Sequence, residues 1–164
     1  MTIYRRANRQ YIAMSENEAW SFVASRYKMI VAFSMPNGYS HATPIWFAAD
    51  NRKLYFRFQD YKVKSRLIKS GKVCCVLEEG HSYTELRGVV IWGRCHAVTD
   101  HALVSQIEEW LTAKYGSLRW RREQMPLSWV NERSNESRIH VQVDPEIVSS
   151  WDNRKLLQKG DNVG

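Results

Sequence analysis

The stretch "HATPIWF", residues 41–47, alternates like a β-strand yet carries a proline in its middle. His41, Thr43, Ile45 and Phe47 fall on one side, and Ala42, Pro44 and Trp46 on the other. A period of two is the mark of a strand. Pro44 cannot donate a ladder hydrogen bond, and proline within a sheet belongs at an edge or a bulge. Around Pro44, then, the strand is predicted to face something other than a second strand.

The neighbouring segments supply the rest of the sheet. "MIVAFSM" (29–35) precedes the stretch across "PNG" (36–38), and Asn-Gly is a strong hairpin signal. "HATPIWFAA" (41–49) runs through the turn "DNRK" into "LYFRF" (54–58). Three strands joined by short turns predict an antiparallel meander. "KVCCVLEE" (72–79) reads as a buried strand, and "SYTELRGVVIWGRCHAV" (82–98) as a long one that can bend at Gly88 and Gly93. "SRIHVQVD" (137–144) is a final alternating strand, and "PEIVSSWDNRKLL" (145–157) a partly extended closing segment.

Helices fall between these strands. "SENEAWSFVASRYK" (15–28) opens with a capping box formed by Ser15 and Glu18. "VKSRLIKS" (63–70) is a short basic helix stopped by Gly71. "DHALVSQIEEWLTAKY" (100–115) has Asp100 as N-cap and a stripe of Ala102 or Leu103, Ile107, Trp110 and Leu111. Residues 116–136 read as a loop with a short helix. Six strands and three helices predict a mainly β fold, a small antiparallel barrel with flanking helices. The 164 residues form one predicted domain over 1–164, with a core from about 15 to 157 and frayed termini.

Composition narrows the function classes. Hydrophobic residues make up 44% and charged residues 25%, a globular balance. No apolar run reaches the roughly 18 residues of a membrane span. Arg5 and Arg6 suggest a twin-arginine leader, but Glu16 and Glu18 interrupt any apolar signal core. Three cysteines without zinc spacing fit a reducing cytoplasm. Cys74 and Cys75, in an apolar run, read as core thiols rather than reactive ones. The five histidines show no metal-ligand spacing, so no metal is expected. No phosphate-binding Gly-rich loop, dinucleotide fingerprint or nucleophile elbow is present.

The net charge of +7 favours anionic partners. Arg57, Lys62, Lys64 and Arg66 gather it at the end of a strand and the start of the short helix. A helix N-terminus offers free N–H groups and a positive dipole, so this cluster suits a terminal phosphate as well as it suits a solvated basic face. A phosphate held there would lay its attached group along "HATPIWF".

These pieces together resemble the flavin-binding split-barrel superfamily, the pyridoxamine 5′-phosphate oxidase-like proteins. The resemblance rests on "GYSHATPIWF" with "LYFRF", then "KVKSRLIKSGKVCCVLEEG", "YTELRGVVIWGRCHAV" and "RIHVQVDPEIVSSWDNRKL", spanning about residues 15–157. It implies a six-stranded antiparallel split barrel. It also implies FMN, its phosphate on Arg57, Lys62 and Lys64, with Arg66 beside them, and its ring against His41, Thr43, Pro44, Ile45 and Trp46. It further implies a homodimer with the cofactor at the interface, where Glu85, Arg87 and Gly88, and one of Trp129, Arg138 or Trp151, complete the pocket from the second copy. Lys62-Val63-Lys64 stands where pyridoxamine 5′-phosphate oxidases have an adjacent Arg-Lys pair. The "SYTELRG" and "SWDNRKL" segments look more like the flavin and deazaflavin oxidoreductase branch.

The expected function is therefore a flavin-dependent oxidoreductase acting on a small organic molecule. A deazaflavin-dependent reductase and a non-enzymatic flavin or haem binder are the alternatives. A nucleic-acid module built on "LRWRRE" (118–123) and "YRRANRQY" (4–11) is a remoter one. His41 reads equally as a proton donor near the ring and as a histidine beside a turn.

Overall fold

The computed structural model describes residues 2–3, 7–59, 62–119, 122–126 and 138–162; side chains are described from Gln10 onward, apart from those of 59, 62–65, 122 and 158–162. The strands are β1 (Thr2–Ile3), β2 (Met29–Ser34), β3 (Ser40–Ile45), β4 (Phe47–Asp50), β5 (Lys53–Gln59), β6 (Lys72–Glu79), β7 (Arg87–Ala97) and β8 (Arg138–Asp152). The helices are α1 (Glu16–Ser25), α2 (Lys62–Ser70) and α3 (His101–Tyr115). Turns of 3-10 helix at Ala7–Ile12 and Asn153–Asn162 flank the barrel near its two termini.

One sheet holds all the strands, in the order β3-β2-β6-β7-β8-β5-β4, with β1 added to β8. Its two end strands, β3 and β4, are consecutive in the chain and separated by Trp46 alone. Two Cα steps span at most about 7.6 Å. The sheet must therefore curl until its ends meet, which makes a barrel split between β3 and β4. All pairings are antiparallel except β1 with β8.

The predicted meander is corrected here. "HATPIWFAA" is not one strand: its first part pairs with β2 and its second with β5. Splitting it, and adding β1, raises the strand count from the expected six to eight. The long strand expected from residue 82 begins only at Arg87. Residues 82–86 form a turn, in which Glu85 N–H and Leu86 N–H donate to the Ser82 carbonyl. β8 runs on through Pro145 to Asp152, longer than the strand expected over 137–144. β7 bends at Gly93, as expected, by a register shift that leaves Glu146 unmatched between Pro145 and Ile147. A Cβ on Gly93 would stand 2.4 Å from the Asp144 carbonyl oxygen, so the bulge admits only glycine.

The inward side chains form one core. Met29, Val31 and Phe33 of β2 meet Leu54, Phe56 and Phe58 of β5, Val73, Cys75 and Leu77 of β6, Val89 and Ile91 of β7, and Val141 and Val143 of β8. Helix α1 adds Ala19, Phe22 and Val23. Its capping box is complete: Glu18 N–H donates to Ser15 Oγ at 3.3 Å and Ser15 N–H to the Glu18 carboxylate at 2.6 Å. A second cluster joins Ile107, Leu111 and Tyr115 of α3 to Ala48 and Tyr55, so α3 lies on the outside of β4 and β5. Asp100 caps α3 through Ala102 N–H at 2.8 Å. Among the described residues no helix is long and apolar enough to cross a membrane.

Candidate functional site

Trp46, the single residue between β3 and β4, is fixed from α3. Its indole stacks on the Tyr115 ring at 4.5 Å and 3°. The Tyr115 hydroxyl accepts from Phe47 N–H at 3.0 Å, and its proton is shared between the Tyr27 and Phe47 carbonyls, each at 2.8 Å. Burial pushes the phenol up to about 12. One tyrosine thus pins the backbone where the chain crosses from one edge of the sheet to the other. Beside it, Lys114 Nζ lies 4.0 Å from the Phe47 ring centre. Burial first, and then the Arg26 charge, bring this lysine down to about 8.

On β3 the register pairs Pro44 with Ile30, Thr43 with Val31 and Ile45 with Met29. β3 is an end strand, so its other edge has no strand partner among the described residues. His41 is half-buried, its ring 5.1 Å from that of Phe33. Pro44 heads a row across the outer face, Pro44–Ile30–Val76–Val90. Ile30 and Val76 line an open cavity of about 570 Å³ together with Arg26, Tyr27, Lys28 and Glu78. Tyr27 ties this cavity to the Trp46 stack, with its ring 6.0 Å from and edge-on to Tyr115.

The basic cluster is only partly free. Arg57, on the outer face of β5, binds both carboxylate oxygens of Glu108 on α3. The same carboxylate accepts from His140 Nε2 at 2.7 Å. Burial raises Glu108, but the hydrogen bonds and charges of His140 and Arg57 outweigh it and leave the acid below the usual carboxylate range. Lys62 and Lys64 open α2, and their side chains lie outside the described residues. Arg66 is exposed on the same helix. Arg119 lies near both Arg57 and Arg138; burial, and then those charges, push its guanidinium down.

Of the residues expected to complete a partner's pocket, Arg87 and Gly88 begin β7 opposite Glu79 and Glu78 of β6, and Glu85 lies in the turn before it. Glu85 is exposed and accepts from Ser82 N–H at 3.2 Å. Arg87 is paired with Glu79, 5.0 Å over the Phe22 ring. Gly88 gives way to Trp151: a Cβ there would stand 2.4 Å from the indole. Arg138 is exposed next to the end of β5, and Trp129 lies outside the described residues. The cysteines are free thiols, all raised by burial, which agrees with a packing role. Among the described residues no three His, Cys, Asp or Glu side chains converge on a metal position.

Sequence reasoning missed Tyr115, Lys114, Glu108, His140 and Arg119. Tyr115 stands four residues after Leu111, so the apolar stripe of α3 could have been extended to it. Glu108 sits beside Ile107 with no spacing signal, and only the register Arg57–His140 brings its partners together.

A family model described as pyridoxamine 5′-phosphate oxidase matches residues 15–149. The chain belongs to the pyridoxamine 5′-phosphate oxidase family. Similar solved structures include a conserved hypothetical protein from Mycobacterium tuberculosis, at 27% identity and TM-score 0.75, covering 93% of this chain and 92% of that one. The FAD binding protein from Mycobacterium smegmatis shares the fold at 20% identity and TM-score 0.58, covering 85% and 98%. HutZ, the haem storage protein from Vibrio cholerae, does so at 12% identity and TM-score 0.61, covering 80% and 89%. No curated protein matches significantly. The split barrel seen here is the architecture of this family, and it keeps "HATPIWF" at its split.

Proposed function

We propose that the chain is a homodimeric, flavin-dependent oxidoreductase that uses FMN and a small organic substrate. The observation that carries this reading is the unpaired edge of β3 at 43–45, in a chain of the pyridoxamine 5′-phosphate oxidase family. That edge ends at the fixed Trp46, with the cavity of Tyr27, Ile30 and Val76 on one side and the Arg57 end of β5 on the other. The likeness to FAD-binding proteins from Mycobacterium smegmatis and Mesorhizobium loti supports a flavin. The compactness of the basic cluster favours the mononucleotide.

The residues fit such a group: Arg57 is paired with Glu108, Arg119 lies near Arg57 and Arg138, and Arg66 is exposed on α2. Arg57, Lys62, Lys64 and Arg66, with the N-terminal N–H groups of α2, would hold the phosphate. Thr43, Pro44, Ile45 and Trp46 would orient the ring, and the missing Pro44 N–H costs nothing on an edge that pairs with no strand. A bound flavin supplies hydride chemistry itself, so the protein contributes position and exclusion of water rather than a catalytic triad. His41 is the side chain of β3 suited to hold a proton near the ring.

The second copy supplies the exclusion of water. Ile30, Trp92 and Ile147 are exposed on the outer face of the sheet, with Val76, Val90 and Cys74 half-buried between them. An apolar sheet face of this kind is suited to an obligate dimer interface. Docking there would bring Glu85, Arg87 and Gly88 of the second copy toward the cofactor.

The absorption spectrum of the purified protein tests the reading. Bands near ~450 and ~375 nm identify a flavin, ~420 nm a deazaflavin and ~400 nm haem, each from the cofactor's own chromophore. The likeness to the haem storage protein keeps haem as the second reading. A colourless protein that no added flavin, deazaflavin or haem saturates refutes both. Lys62→Ala combined with Lys64→Ala should weaken FMN binding while sparing riboflavin; equal FMN affinity places the phosphate elsewhere.

A further inference from the structure

Glu108 is an odd neighbour for a phosphate ligand. Arg57 and His140 are register partners on adjacent strands, so their donors are held together by the β5–β8 ladder. The carboxylate that satisfies both arrives from another element, α3. It fills the one position where a guanidinium fork and an imidazole N–H converge. The pair is not sealed: the Arg57 and Glu108 side chains keep 22% and 31% of their exposure, whereas His140 keeps 10%.

Charge points the same way. Arg119 and Arg138 form no salt bridge among the described residues; the Arg57 and Arg138 charges disfavour that of Arg119, and the Glu108 charge favours it. One carboxylate thus pairs with Arg57 and supports the charge of Arg119. A phosphate monoester has up to two negative charges and three terminal oxygens, enough to accept from Arg57 and His140 at once.

We infer that Arg57 and His140, with the Arg119 charge nearby, form a receptor for a phosphate monoester, and that the Glu108 carboxylate occupies it in the unliganded chain. The inference rests on the reading of Arg57 as a phosphate ligand and adds its regulation: the incoming phosphate displaces Glu108, so α3 competes with the ligand for Arg57. Such a contact lowers affinity while keeping a half-buried guanidinium from standing unpaired, which would itself be costly.

Chemical rescue tests it on the whole chain. Glu108→Ala should lower the melting temperature, because Arg57 and His140 lose their common acceptor. Inorganic phosphate should restore most of that loss, and chloride at matched ionic strength should not. By calorimetry, Glu108→Ala should bind inorganic phosphate about tenfold tighter than the wild type, the equivalent of one charge-assisted hydrogen bond freed. Adding Arg119→Ala should remove the gain. Where Glu108→Ala does not fold, Glu108→Gln keeps an acceptor oxygen without the charge and should show the same order of phosphate affinities. Phosphate that stabilises the variants no more than the wild type overturns the inference. FMN titrated against riboflavin separates the sources. Tighter FMN with unchanged riboflavin in Glu108→Gln assigns the receptor to the cofactor's phosphate. Rescue by phosphate in a chain that binds no flavin assigns it to a phosphorylated substrate and leaves the flavin reading to fail by itself.

Discussion

Tyr115→Phe removes one oxygen from the position where the sheet closes, and its cost can be worked from the contacts. The hydroxyl accepts from Phe47 N–H at 3.0 Å and donates to one of two carbonyls at 2.8 Å. Phe47 is fully buried, so its N–H has no water to turn to. An orphaned buried donor costs about 1–3 kcal/mol, and the donated bond adds about 1 kcal/mol. The total is about 3 kcal/mol. For a chain of this length each kcal/mol lowers the melting temperature by roughly 2–4 °C, so the loss should be roughly 9 °C. Phe at position 115 keeps the ring that stacks on Trp46, so the variant isolates the hydroxyl. Trp46→Leu removes the stack instead and should cost less beyond its lost area, about 1 kcal/mol. Burial holds the phenol protonated up to about pH 12. The loss should therefore be the same at every pH from about 6 to 9, well below that titration. The assay is thermal and urea unfolding at fixed protein concentration, on which the stability of the proposed dimer would depend. A Tyr115→Phe chain within about 0.5 kcal/mol of wild type, the range of a neutral surface change, would refute the idea that this hydroxyl pins the split.

Three further outcomes follow from single contacts. Gly88→Ala should destabilise by about 1–3 kcal/mol, because its Cβ overlaps the Trp151 indole, as overpacking does. Urea unfolding measures it, and Trp151→Leu in the same chain should recover part of the loss. Glu108 titrates lower in the folded chain than in the unfolded one, so its contribution is present above the ordinary carboxylate range and is lost as pH falls through its folded value. Glu108→Gln should flatten the acid limb of stability below about pH 4 relative to wild type; parallel limbs reject the assignment. Lys114 runs on the same principle at the other end. Its folded value is about 8, against 10.5 ordinarily, so between the two the unfolded chain binds more protons and stability rises with pH. Lys114→Met should remove that rise, read as the difference between the two chains from pH 8 upward.

Local chemistry was legible where it is written in neighbouring residues. The capping box of Ser15 and Glu18, the Asp100 cap, the strand at β6 and the bulge at Gly93 all depend on contacts within a few positions or on steric limits of one residue type. The family was legible for the same reason, since its segments keep their order along the chain. What could not be read was anything set by sheet closure. Nothing in "HATPIWFAA" says that its halves pair with different strands, because Phe47 continues the alternation of Ile45 and Thr43 without a break. The partners of Arg57 come from Glu108 and His140, far along the chain, and meet only through the β5–β8 register.

The split explains why a proline is tolerated at residue 44 and why a large aromatic stands at 46. A closed barrel would need the amide at position 44 to donate to a further strand, and Pro44 has no N–H to give. An open sheet would leave β3 as a bare edge, free to add strands from other chains. Here the chain passes from one end of the sheet to the other across Trp46, so the edge is turned into a corner. The Tyr115 hydroxyl satisfies the first amide beyond it. The unpaired side of 43–45 is thereby kept short rather than left as an extended template. A second polypeptide strand is disfavoured there by the missing N–H, whereas a flat ring needs only surface and a few polar contacts. The same proline that breaks the strand pattern thus selects what can lie beside it. Pro44→Val should restore the N–H without touching the core and, on the proposed reading, should weaken ring binding less than it promotes association through the β3 edge. Sedimentation at increasing concentration reads the second effect, and unchanged association would show that the corner at Trp46 protects the edge by itself.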